Sequence, residues 1–266
     1  MHMKLKTYMS SCHLYCLNDW MKCVDWAKDH AFTGVELFGG ENERRFENMD
    51  MERLLEISDH ARKSGIELSC HPWVNWENIE EDEMTRLYLE TAERCAKMGM
   101  TYLNMHIHFL TDRKQGMDRL FRATDKVLPI IEKANMILLY ENVPSHGKRD
   151  MGSEYIDFEK LFRYYPENSP VQMNIDTGHA HIHGMLEPLA EDFASRWAYT
   201  HINDNFGLHD DHVAPGDGAL DFDLVARASK EAGYTGPLMM EFHEKGMEKG
   251  MKVLSEAYGK YGYTLL

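Results

Sequence analysis

Residues that bind metals or protons recur along this chain at a fixed interval. Glu36, His71, His106, Glu141 and Asp176 are each 35 residues apart, and His201 and Glu241 follow after intervals of 25 and 40. Each stands at or near the end of a short run of apolar, β-branched or aromatic residues. The runs are 5–11 (LKTYMSS), 34–38 (GVELF), 66–71 (IELSCH), 102–107, 136–143, 171–176, 197–204 and 237–242. They are too short for core helices and are bounded by turn or charged residues, so they read as strands. Amphipathic stretches lie between them. DMERLLEISDHARKSG (50–65) places Met51, Leu54, Leu55 and Ile57 at helical spacing and stops at Gly65. Residues 80–99, 114–134, 221–233 and 247–262 read the same way. Asp221 and Asp223 suit a helix N-terminus, and Gly233 closes that helix.

Eight strands and about eight helices in 266 residues give about 33 residues per unit. One β-α unit each is the signature of a (β/α)8 barrel with eight parallel strands and outer helices, and residues 1–266 read as a single such domain. No Pro/Gly/Ser-rich linker divides them. An open, doubly wound sheet also alternates. It fits worse, because no Gly-x-Gly-x-x-Gly follows the first strand and eight units are many for it. In a barrel every strand C-terminus opens on one face. Residues scattered over more than 200 positions then converge on one mouth.

Composition enters as a filter. There are 29 basic and 44 acidic residues, a formal charge of −15, which gives no basic footprint for nucleic acid. No apolar run approaches the ~20 residues that span a bilayer. The N-terminal MHMKLKTYMSSCHLYCL has no apolar core of a secretory signal. Cys12, Cys16, Cys23, Cys70 and Cys95 form no C-x-x-C pair and read as reduced thiols, so the expected location is cytoplasmic.

Four strand-end residues carry the chemistry. Glu141 follows the apolar MILLY. In NIDTGHAHIHG (174–184) Asp176 ends a strand, Gly178 permits a tight turn and His179 returns to the mouth. THIND (200–204) holds His201, and MMEFH (239–243) holds Glu241 in an apolar run. A buried, unpaired glutamate is costly, so Glu241 requires a cation or a proton partner. Singly, each has a bland reading: a carboxylate or imidazole that caps the next element. Together, three oxygen ligands and one imidazole suit Mn²⁺, Mg²⁺, Co²⁺ or Zn²⁺ with positions left for substrate. The competing reading is a carboxylate–histidine hydrogen-bond cluster.

The order of motifs resembles the xylose-isomerase-like barrel superfamily: a strand-ending Glu, D-T-x-H (176–179), H-x-x-D (201–204), a downstream D-x-H (210–212) and G-x-G (216–218), and a final Glu. That superfamily includes sugar-phosphate isomerases and epimerases, ketose 3-epimerases, inosose-processing enzymes and endonuclease IV. The resemblance covers about residues 5–262. It implies that Glu141, Asp176, His201 and Glu241 hold one divalent metal, that Glu141 and Glu241 form the proton-transfer pair, and that His179 contacts a sugar hydroxyl. Such chemistry removes a weakly acidic proton beside a carbonyl while the metal stabilises the enediolate. Glu36, His71, His106 and His212 are further candidate substrate contacts. Trp73, Trp76, Phe38 and Phe109 are candidate walls for a sugar ring. His13, His30, His60, His146 and His243 read as structural, and Asp217 as a turn residue.

Two departures bear on the branch. Ketose 3-epimerases resemble one another in H-x-x-x-x-x-R after the seventh strand, with the arginine on substrate. Here that position is Gly207, and HDDH (209–212) follows. Endonuclease IV carries a three-metal cluster whose ligand types, in order, resemble His71, His106, Glu141, Asp176, His179, His201, Asp210, His212 and Glu241. The loops after the first two strands offer only Arg44 and Arg45 as basic residues. The expected function is therefore a metal-dependent sugar or sugar-phosphate isomerase/epimerase, with a small sugar or polyol as partner and neither membrane nor nucleic acid. In this reading one core cation is held, while His71, His106, His179, Asp210 and His212 line the pocket. An abasic-site endonuclease with a multi-zinc cluster is the rival. A lyase or dehydratase and a non-catalytic sugar-binding barrel are further readings. The sugar, its phosphorylation, the metal and the oligomeric state are left open.

Overall fold

The computed structural model describes residues 2–14, 19–42, 44–72, 80–107, 112–144 and 151–266. After a short β1 (Met3–Leu5), eight parallel strands close into a barrel in chain order: β2 (Thr7–Ser10), β3 (Gly34–Phe38), β4 (Glu67–His71), β5 (Tyr102–His106), β6 (Ile137–Glu141), β7 (Val171–Asp176), β8 (Trp197–Ile202) and β9 (Leu238–Met240). The barrel closes where Thr7 pairs with Leu238 and Met9 with Met240. The open-sheet alternative is thereby excluded. The surrounding helices are α1 (Trp20–Asp29), α2 (Met51–Ser64), α3 (Glu81–Met98), α4 (Arg113–Lys133), α5 (Tyr155–Tyr164), α6 (Thr177–His183), α7 (Leu186–Asp192), α8 (Phe222–Glu231) and α9 (Met247–Lys260). Among the described residues, no helix is long and apolar enough to cross a membrane.

The strand pleat sorts side chains between two environments. Val35, Leu37, Leu68, Cys70, Leu103, Met105, Leu138, Tyr140, Met173 and Ile175 point outward into the core between sheet and helices. Their alternates point into the barrel. At its lower end Tyr8, Leu139, Tyr199 and Met239 form a second, fully buried cluster, and the Tyr199 hydroxyl lies 2.9 Å from Ser69 Oγ. This plug makes the interior a packed floor rather than a pore. Above it the register sets His106 beside Glu141, Glu141 beside Asn174, and Asp176 beside His201. The polar residues at the strand ends therefore form a ring.

Three details differ from the sequence reading. The run 5–11 divides at Lys6, because β1 pairs with β10 (Tyr263–Leu265) and only β2 enters the barrel. That pairing joins the two ends of the described chain and leaves no local pattern. The last barrel strand ends at Met240, so Glu241 sits one residue beyond it. The sequence pattern singled out five helices, and α1, α5, α6 and α7 are additional. α1 is capped by Asp19, whose side chain accepts from Lys22 N.

Candidate metal centre

Glu141, Asp176, His201 and Glu241 meet at the C-terminal mouth. Each offers a ligand atom within 4.8 Å of the others. They are 1%, 0%, 0% and 5% exposed, so three carboxylates share a site almost closed to bulk water. His201 Nδ1 lies 2.9 Å from Glu241 Oε2, 3.4 Å from Glu141 Oε2 and 3.9 Å from Asp176 Oδ2. Its other nitrogen, Nε2, faces the Glu36 carboxylate with 3.4 Å to Oε2. That contact favours the tautomer with the proton on Nε2 and a lone pair on Nδ1. His201 Nδ1 and Glu241 Oε2 are both buried without an aligned hydrogen-bond partner among the described residues. Positive charge between these two atoms satisfies both, and a divalent cation there would take the place of the His201 proton. The donor set therefore fits a divalent metal.

Buried amides set the ligands in place. Asn104 Nδ2 and, at 3.0 Å, Asn174 Nδ2 donate to Glu141 Oε2. Asp176 ends β7 and caps α6. Its Oδ1 accepts from His179 N at 2.7 Å, and its Oδ2 accepts from Asn203 Nδ2 at 2.7 Å. The turn needs Gly178, since a Cβ there would fall 1.8 Å from Asn203 Oδ1. None of these asparagines was singled out by the sequence. Their signal is the i, i−2 spacing of Asn104 to His106 and of Asn174 to Asp176, which places them one layer below on the same face.

Burial acts against every charge here, and the groups offset it in one another. It pushes the Asp176 carboxyl up to about 7. Burial also opposes ionisation of Glu141 and Glu241, yet His201 holds both below the usual carboxylate range. His201 itself is raised well above the ordinary imidazole value, because Glu141, Glu241 and Glu36 outweigh its burial. The cluster thus draws positive charge into its centre, as a cation would supply it.

Two further groups flank this centre. His71 and His106 stand edge to face, 4.7 Å between ring centroids, with Nε2 atoms 3.7 and 3.8 Å from the Glu141 oxygens. On the other side Asp210 Oδ2 lies 3.2 Å from His179 Nε2 and 3.0 Å from His212 Nε2. The loop carrying Asp210 and His212 is folded back by Asp204. Its fully buried carboxylate accepts from the backbone of Asn205, Gly216, Gly218 and Leu220 at 2.8–3.0 Å, and Asp204 bridges Val213. The nine residue types noted in the sequence are therefore brought to one mouth.

Other residues divide. Glu36 is fully buried beneath His201, away from the open side of the mouth. Phe38 packs edge-on against His71 at 5.2 Å. Trp73, Trp76, Phe109, His146 and Cys16 lie outside the described residues. Among the described residues Cys12, Cys23, Cys70 and Cys95 form no disulfide. His30 stacks on Trp26, His60 pairs with Asp25, and His243 caps the turn before α9. His13 instead comes to the mouth, 5.0 Å from the His212 ring. No local pattern marks it, since its neighbours come from the far end of the chain. Gly207 has φ of 82°, and a Cβ there would stand 3.6 Å from the His181 ring. The loop backbone is thus shaped for glycine where ketose 3-epimerases resemble one another in an arginine.

Comparison with known proteins is consistent with this arrangement. A family model described as xylose isomerase-like TIM barrel matches residues 24–257. A probable endonuclease 4 of Thermotoga sp. (strain RQ2) is 29% identical over 128 residues, 44% of each chain. The chain spans about half the length of the curated relatives it matches. Among solved structures, a D-tagatose 3-epimerase-like protein superposes with a TM-score of 0.78 at 17% identity, covering 97% of this chain and 98% of that one. The IOLI protein with a binding zinc atom gives 0.75 at 18% identity, covering 97% and 99%. At such identities the likeness speaks to the fold alone.

Proposed function

The chain belongs to the xylose isomerase-like TIM barrel family, and on that premise we propose that it is a divalent-metal-dependent sugar or sugar-phosphate isomerase or epimerase. The observation that carries this reading is the buried quartet in which His201 Nδ1 and Glu241 Oε2 face each other at 2.9 Å with no aligned hydrogen bond among the described residues. Glu141, Asp176, His201 and Glu241 would hold the cation. When bound, a divalent metal supplies polarisation of the sugar carbonyl and its neighbouring hydroxyl.

This chain's residues do the rest. Glu241 takes the proton beside the carbonyl. Glu141 lies across the site and is the second member of the proton-transfer pair. Asn104 and Asn174 hold its Oε2, which leaves Oε1 toward His106 and His179. His71, His106, His179 and His212 bind and orient hydroxyls. Glu36 acts from beneath by orienting His201. The absence of disulfides among the described residues supports a cytoplasmic location.

The complete set of nine ligand types favours a second reading, a multi-zinc abasic-site endonuclease, and the partial likeness to a probable endonuclease 4 supports it. Against it stand the net charge of −15 and the pairing of the two basic loop residues. Arg44 faces Asp50 at 3.5 Å, and Arg45 faces Glu47 at 2.8 Å, so neither is a free phosphate contact. The test is threefold: metal equivalents per chain after dialysis, exchange of sugar protons into deuterated water, and nicking of abasic DNA. One tightly held equivalent with proton exchange supports the isomerase. Two or three zinc ions, with DNA cleavage lost on chelation, promote the endonuclease.

A further inference from the structure

We propose that His13, His212 and Glu241 form a second cation site at the rim, adjoining the core quartet and sharing Glu241 with it. The three come from the loop after β2, the loop after β8 and the residue just past β9, and each offers a ligand atom within 4.8 Å of the others. The inference rests on the reading that the quartet holds a metal.

Ring geometry separates this site from the neighbouring His179–Asp210–His212 group. With zinc–nitrogen bonds of about 2.0–2.1 Å, an imidazole centroid sits about 3.2 Å from the ion, and two rings at a tetrahedral angle stand about 5 Å apart. The His13 and His212 centroids are 5.0 Å apart, with planes inclined by 31°. Those of His179 and His212 are 6.3 Å apart and perpendicular. Bridging them would need an angle near ~160°, far from tetrahedral.

The nitrogens are arranged to suit. His212 Nδ1 lies 2.8 Å from the Glu241 backbone carbonyl, to which it donates, so Nε2 is the nitrogen a cation would take, displacing the proton it shares with Asp210. Asp210 Oδ2, 3.0 Å from that Nε2, stands ready as a fourth ligand. Glu241 belongs to both groups, so its carboxylate would serve both cations. Two imidazoles with carboxylate oxygen select a borderline cation such as Zn²⁺ or Co²⁺ over Mg²⁺ or Ca²⁺. Occupation also ties Glu241 to a second charge and withdraws it from proton transfer, so the site limits activity when zinc is abundant.

The test is calorimetric titration of zinc into the full chain, with the ion then located by anomalous scattering at the zinc edge. Wild type should show one tight equivalent and a second, weaker one. His13→Ala should keep the first and weaken the second about tenfold or more. His179→Ala should keep both. Circular dichroism checks that each variant folds. An anomalous peak within bonding distance of His13 supports the site. A second equivalent unaffected by His13→Ala, a peak beside His179 instead, or no second equivalent at all overturns it. Absence of the first equivalent in wild type is a separate result and overturns the quartet reading.

Discussion

The floor and the rim of the mouth are built from the same residue types and are held in opposite ways. On the floor, Glu141, Asp176, His201 and Glu241 sit at or just past strand ends and are at most 5% exposed. Buried asparagines and Glu36 fix their orientations. On the rim, His13, Asp210 and His212 ride on loops, and Asp210 is 22% exposed at its side chain. Asp210 and His212 are held by each other, by His179 and the Glu241 carbonyl, and by the Asp204 carboxylate that folds their loop. The contrast teaches where each property resides. Strand ends tied into a ladder give a preorganised cation site, whereas loops tune what surrounds it without disturbing the barrel.

If this division holds, removing one floor carboxylate should stop the chemistry and spare the fold. Glu241→Gln keeps the shape but cannot accept a proton. Proton exchange should fall about a thousandfold with an unchanged circular dichroism spectrum. Metal content must be measured on the same sample. A fully metallated variant with normal turnover would remove Glu241 from proton transfer.

The rim is tested through its latch. Asp204→Ala leaves four backbone N–H groups without their acceptor. The expected cost is about 2–4 kcal/mol of unfolding free energy by denaturant titration. The first metal equivalent should survive. Loss of both together would show that floor and rim are one unit.

Beneath the floor the expected effect is smaller. Glu36→Gln should weaken core metal affinity by about 10–100-fold, read by competition with a chelator. Thermal stability should hold or rise, because burial raises the Glu36 carboxyl and an amide carries no charge. Unchanged affinity would mean that Glu36 does not orient His201.

The smallest effect is a pH slope. Burial pushes His71 down to about 3 and His13 down to about 4, so both are neutral in the folded chain at neutral pH. The unfolded chain, with imidazoles near ~6.5, binds more protons between these values. Stability is therefore full above ~6.5 and is lost as pH falls toward the folded values. His71 alone should account for about 1 kcal/mol between pH 6.5 and 5.5. His71→Asn should flatten that part of the slope in a series of melts.

Much of this molecule could be read in advance where short-range geometry governs. His71, His106, Glu141 and Asp176 end their strands as the spacing predicts, whereas Glu36 falls in the middle of β3, and Gly65 does end α2. Boundaries were less legible. Glu241 follows β9 rather than ending it, because the last pair in the ladder with β2 is Met240 with Met9. Asn104 and Asn174 were passed over because an asparagine inside an apolar run carries no signal until its partner Glu141 is seen.

The sequence by itself determined the alternation, the closed parallel architecture and which residue types reach the mouth. These follow from the pleat period and the helix period, which act over a few residues. Only the tertiary structure decided that Glu36 lies behind His201, that His13 joins His212, and that Gly207 sits against His181. The first of these contacts spans 165 residues. It exists because the barrel closes, and which nitrogen of His201 faces the carboxylates is set by that closure rather than by any neighbour in the chain.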